Sequence, residues 1–158
     1  MRNQINVYSL AYYIINSGEY ADLNPLKLQK LLYYIQSWHI VFRGHKLFEN
    51  DFEAWIHGPV IREVFGHFRS KNILMYDPIP ENHSRDYDLN KYLNNEQIEI
   101  IEDVLEEYGD KTPYHLECLT HAEKPWIEAR KDCAVTDSCN NIINNETIRA
   151  YYTSLLDV

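Results

Sequence analysis

Cysteine is scarce and odd in number here: 158 residues hold three, Cys118, Cys133 and Cys139, with no C-x-x-C pair. That argues against a disulfide framework or a four-thiolate zinc site, so reduced structural thiols are expected. Glycine is also sparse, and none of its 5 residues builds a phosphate-cradling loop. No Ser or Cys stands in a recognisable nucleophile elbow. Apolar runs all fall short of a membrane span, and Met1-Arg2-Asn3-Gln4 leads into no signal-peptide core. The expectation is a soluble, cytoplasmic protein. With no internal repeat, low-complexity tract or dividing linker, residues 1–158 read as one domain.

Positive charge is missing mainly from the second half. Residues 1–80 hold 8 Lys and Arg against 7 Asp and Glu, whereas residues 81–158 hold 7 against 17. The overall charge of −9 therefore sits almost wholly in the second half. Such a surface repels phosphate backbones, so direct nucleic-acid binding is not expected, while a basic partner would suit it.

Aromatic and apolar residues are plentiful, at 13% and 45%, with 13 Tyr against 5 Phe. A chain this long with such material can bury a core without staples. The strongest helical signal runs from Pro25 to Arg43. Asn24 suits an N-cap, Pro25 the first helical position and Gly44 a left-handed stop. Leu28, Leu31, Leu32, Ile35, Trp38 and Phe42 recur at helical spacing, and Tyr33, Tyr34, Ile40 and Val41 widen the stripe. Only Lys27, Lys30, Gln36, Ser37 and Arg43 are left as a polar margin. A helix apolar over so much of its girth belongs inside a domain, surrounded by others.

Elsewhere the pattern is shorter. Residues 4–17 predict a helix closed by Gly18. Phe52 to Ile56 reads as a small strand, and Pro59 as the opening of a helix carrying Val60, Val64, Phe65 and Phe68 inward. Glu81 to Asp86 reads as a solvated loop. Asn94 or Asn95 caps a helix from Glu96 to Tyr108, with Ile98, Ile101, Leu105 and Tyr108 inside. Its outer face is Glu96, Glu99, Glu102, Asp103, Glu106 and Glu107, and no Lys or Arg interrupts it. Thr112-Pro113 opens a helix through Leu116 and Leu119, and Pro125-Trp126 begins a further turn or two. Ile142-Ile143 reads as a second short strand, before a last helix through Ile148, Tyr151, Tyr152 and Leu155. The fold class expected is mainly α: five or six helices around a central one, with at most a two- or three-stranded β element.

A set of ordered motifs resembles a known family. Leu28-Gln29-Lys30-Leu31-Leu32-Tyr33-Tyr34 is followed by Ala54-Trp55-x-x-Gly58-Pro59-Val60, then by Leu119-Thr120-His121-x-Glu123-x-Pro125-Trp126, with Ile148-x-x-Tyr151-Tyr152 at the close. Together they resemble the Panacea domain (domain of unknown function 4065), whose members include SocA-like antitoxins and phage-associated proteins. The resemblance implies a non-enzymatic antitoxin that neutralises a cognate protein toxin, encoded by the adjacent gene, through direct binding. In SocA-like members it also implies delivery of the toxin to a cellular protease. Many members carry a DNA-binding segment, but here the motif-bearing region starts almost at Met1, so autoregulation is not expected. A second reading is a phage or mobile-element accessory protein that binds a host factor. A third is a small hydrolase or metal enzyme using His57, His121 or Glu63.

The candidate partner-binding residues are Trp55, His57, Gly58 and Pro59 at a tight corner, and Glu99, Glu102, Asp103 and Glu106 on the acidic face. For the corner, a pure packing reading puts Trp55 in the core and bonds His57 to backbone. Leu28, Gln29, Lys30, Leu31, Leu32, Tyr33, Tyr34, Thr120, His121, Glu123, Pro125 and Trp126 read as structural, with His121 bracing the turn before Pro125-Trp126. His115, Cys118, His121 and Glu117 have a loose metal-ligand spacing, and Glu63 and His67 lie at i and i+4. Neither set is distinctive among seven His and 24 carboxylates, so no catalytic residue, metal or cofactor is assigned.

Overall fold

A computed structural model describes residues 3–80 and 87–156. Residues 81–86, read above as a solvated loop, lie outside the described residues, as do Met1 and Arg2. Helix α1 (Val7–Asn16) is capped by Asn6 and α2 (Pro25–Arg43) by Asn24, whose side chain accepts from the Lys27 N–H. Gly44 ends α2 in the left-handed region at φ 79°. A hairpin of β1 (Glu53–Trp55) and β2 (Gly58–Val60) leads into α3 (Arg62–Ser70). A 3₁₀ turn at Leu89–Lys91 precedes α4 (Asn95–Tyr108), α5 (Pro113–His121), α6 (Lys124–Ala129) and α7 (Asn145–Ser154). Asn94 and Gln97 form a reciprocal capping box at α4, and Thr112 and Asn144 cap α5 and α7.

The mainly α architecture with a central helix is as expected: α1, α3, α4, α5, α7 and β2 all pack on α2. Leu28, Leu31, Leu32, Tyr34 and Ile35 are wholly buried, at 0% exposure. Each should contribute about 1.5–3 kcal/mol through burial alone.

The polar margin of α2 is corrected. Lys27, Gln29, Lys30, Gln36 and Ser37 are at most 1% exposed. Lys27, Gln29 and Gln36 hold the backbone of neighbouring irregular segments, and Lys30 that of Pro59 in β2. The Gln36 amide donates to the Phe48 carbonyl at 2.8 Å and accepts from the Leu47 N–H at 2.7 Å. Gln29 treats Ile61 the same way, at 3.1 and 2.8 Å. Lys27 donates to Asp22 and to the Gly109 carbonyl behind α4, at 2.7 and 2.8 Å. Buried loop backbone needs partners, and these side chains supply them where no strand does. Phe42, read as part of the apolar stripe, is instead 56% exposed.

Four further expectations give way. Pro59 lies within β2, opposite Ala54, and α3 starts three residues later at Arg62. A two-residue turn at Ile56-His57 closes the hairpin, and Pro59 is tolerated because a two-stranded sheet has only edge strands. Phe65, expected inward, is only half-buried. Ile142 forms a lone bridge to Glu53 rather than a strand. On α4 the inner face includes Ile100 and Val104, while Ile98 is only half-buried.

The cysteines are corrected as well. Cys133 and Cys139, expected as reduced thiols, are joined as a disulfide with Cα atoms 6.2 Å apart. The loop between them is drawn closed by Arg130, whose guanidinium donates to the carbonyls of Ala134 at 3.1 Å and Asp137 at 2.6 Å. Cys118 is a free, exposed thiol.

Candidate partner-binding surface

The hairpin corner is built on Gly58. Its φ of +109° is a conformation glycine alone adopts readily, and a Cβ there would sit 2.4 Å from Lys30 Cε and 2.9 Å from Thr120 Oγ1. Buried Lys30 fills that space and donates to the Pro59 carbonyl at 3.1 Å. Burial pushes its ammonium down from the usual 10.5 to about 7, against the attraction of Glu117. The corner is pinned from the other side by α6, where Trp126 Nε1 donates to the Trp55 carbonyl at 2.8 Å. Arg130 donates to the Ala54 carbonyl at 2.7 Å.

What the corner shows to solvent differs from the packing reading. Trp55 is half-buried at the surface: its Nε1 donates to Glu53 at 2.9 Å, Arg62 lies 5.6 Å from its ring, and Phe65 meets it edge-on. His57 is exposed and contacts a carboxylate rather than backbone, with Nδ1 3.2 Å from Glu117. Gly58 and Pro59 are buried and shape the corner from within.

His121 stacks on Trp126 with ring centroids 4.1 Å apart. Burial lowers its pKa, and Lys30 and His57 nearby act in the same direction against the pull of Glu117. Its buried Nε2 has no hydrogen-bond partner among the described residues.

The motif tyrosines converge elsewhere. Tyr34 and Tyr152 both donate to Glu123 Oε1, at 2.7 and 2.8 Å, and Tyr152 lies 3.1 Å from the Tyr33 hydroxyl. Tyr34 also stacks on Tyr108 at 4.1 Å. Burial raises the Glu123 carboxyl above its usual range, opposed by the two tyrosine donors. Thus the separate motifs around Tyr33-Tyr34, Glu123 and Tyr151-Tyr152 are fastened to one another.

The acidic residues of α4 are all exposed. Glu102 accepts from Tyr13 of α1 and Glu96 pairs with Arg43 of α2. Asp103 borders a groove beside Trp38 and Phe42. The corner makes its contacts with α2, α3, α5 and α6, whereas these acids meet α1 and α2, so the two candidate sets form separate surfaces.

The remaining sequence candidates are engaged in other ways. Glu63 accepts from Asn50 at 3.1 Å, while His67 lies 2.7 Å from the Tyr12 hydroxyl. Among the described residues, no three His, Cys, Asp or Glu side chains group as a metal site. Arg130 was not singled out from the sequence. A basic residue at a helix end gives no sign that it will gather carbonyls from four residues.

Among the described residues, no helix is long and apolar enough to cross a membrane. Comparison with curated proteins and with solved structures found no match. A family model does match: residues 28–127 fit the antitoxin SocA-like Panacea domain, the span that holds the Gln29-Lys30 grips, the Gly58 corner and Glu123, and the chain belongs to that family.

Proposed function

We propose that this protein is the antitoxin of a two-gene system and neutralises a cognate toxin by binding it, with no bond made or broken. The family match over residues 28–127 carries the reading. The placement of the motif residues supports it. Lys30, Gly58, Thr120, Glu123 and Trp126 hold neighbouring elements together, as a rigid scaffold requires. The chain acts as one domain, in the cytoplasm, and its toxin is encoded by an adjacent gene.

Glu99, Glu102, Asp103 and Glu106 supply an outward field of one sign, which speeds encounter with a basic toxin. Trp55 and His57 offer a second contact, and a cellular protease is a further partner in the manner of SocA. Co-expression of this chain with each neighbouring gene, scored by growth and by pull-down, tests the proposal. Rescue of growth with recovery of a complex is expected. Absence of any toxic neighbour that this chain rescues would overturn it. Within a complex, raising salt from about 50 to 200 mM should slow association, and an unchanged rate would remove the acidic face from the capture step.

A further inference from the structure

Three of the large apolar side chains left in solvent lie together. Phe42 is 56% exposed, Leu155 40% and Leu156 53%. With Trp38 and Val104 they line a shallow groove between α2, α4 and the end of α7. Trp38 and Phe42 stack with centroids 5.7 Å apart, and Trp38 Nε1 is held by the Tyr108 hydroxyl at 3.0 Å, so the aromatic floor is pre-set. Aromatic floors of this kind are where binding energy concentrates when a partner excludes water.

The rim has one sign. Asp103 and Glu107 of α4 border the groove, and the exposed carboxylates of Glu99 and Glu106 continue along the same helix. No Lys or Arg lies within α4 to neutralise them. Arg43, one turn beyond Trp38, is already paired with Glu96. The walls are helices whose backbone groups are bonded internally, so a docked segment is recognised by side chains and not by strand addition.

We infer that this groove seats a basic amphipathic helix of a protein partner, its apolar ridge on Trp38 and Phe42 and its Lys or Arg flank against Asp103 and Glu107. The inference rests on the reading of the chain as a protein-binding module, and it assigns that binding to a face away from the Trp55 corner.

The test uses two synthetic peptides with the same Leu and Phe ridge at i, i+3 and i+7, one flanked by lysines and the other by glutamates. Binding is followed by tryptophan fluorescence and calorimetry at physiological salt. The lysine peptide should bind at least ten-fold tighter. Phe42→Asp should weaken it at least ten-fold even though the substitution adds a favourable charge, while Val135→Asp, on the remote Cys133–Cys139 loop, should not. Asp103→Lys with Glu107→Lys should reverse the preference between the peptides. Equal binding of both peptides, or full binding to Phe42→Asp, would overturn the inference. So would concentration-dependent dimerisation that Phe42→Asp abolishes, since a second copy would then be the occupant. Circular dichroism of each variant establishes that it is folded. Toxin rescue is a separate readout: rescue preserved in a folded Phe42→Asp variant sinks the groove and leaves the antitoxin reading standing, whereas no rescue by the unaltered chain sinks that reading itself.

Discussion

Tyr34 donates its hydroxyl to Glu123 at 2.7 Å, across a sequence separation of 89 residues. Tyr152 donates to the same oxygen, so α2, the start of α6 and α7 meet at one buried carboxylate. Removing the acceptor by Glu123→Ala takes the partner from the buried Tyr34 hydroxyl and leaves Tyr152 only its contact with Tyr33, and should cost about 2–5 kcal/mol, read from urea denaturation. Glu123→Gln keeps an acceptor and should cost less. The sign of the pH effect follows from the raised carboxyl: folding favours its protonated form, so this group makes the protein lose stability as pH rises from the usual carboxylate range through the folded value. Stability measured between pH 4 and neutrality should lose that component in Glu123→Gln; an identical pH profile would contradict the assignment.

Lys30 gives the opposite slope. Its ammonium is held at about 7 in the fold, against 10.5 ordinarily. Between those values the unfolded chain carries a proton that the folded chain does not, so this group makes stability rise with pH, by up to about 1.4 kcal/mol per pH unit. In Lys30→Met that contribution should vanish, and denaturation midpoints compared from pH 7 to 10 would reveal it. Parallel profiles for the two proteins would show that Lys30 does not titrate there.

Two glycines should respond in opposite directions. Gly58→Ala forces a Cβ to 2.4 Å from Lys30 at φ +109°, so a loss of about 2–4 kcal/mol is expected from strain and overpacking. Gly66, within α3, has nothing within 4 Å of an added Cβ. Gly66→Ala should gain about 0.5–1 kcal/mol, because alanine is the better helix former. Thermal melts of the pair separate the corner's special geometry from a general intolerance of substitution.

The loop closed by Arg130 makes a simple chemical prediction. Thiol titration of the unfolded, unreduced protein should find one reactive group, Cys118, and after reduction three. Three from the outset would refute the pairing of Cys133 with Cys139.

Much of the frame was legible from the residues. Asn24, Pro25 and Gly44 set the ends of α2, and Asn94, one of the two caps expected, marks the start of α4, because caps are local and written in nearby positions. What escaped was long-range. Lys27, Lys30 and Gln36 look like an exposed margin until the loops that fold over them are known, since polarity alone does not tell solvent from a buried carbonyl. Pro59 argued against a strand, but an edge position removed the objection. The packing reading bonded His57 to backbone, and the carboxylate it meets instead lies 60 residues away on α5. The convergence on Glu123 carries no local signature, as its two tyrosine donors, Tyr34 and Tyr152, come from distant parts of the chain.

The grips that α2 exerts on Leu47, Phe48, Pro59 and Ile61 are all made to main-chain atoms. Main-chain atoms are the same whatever side chain they bear. The rod therefore fixes the path of its surrounding loops while leaving their outward residues open to change. A single internal frame of this kind can present many different exteriors.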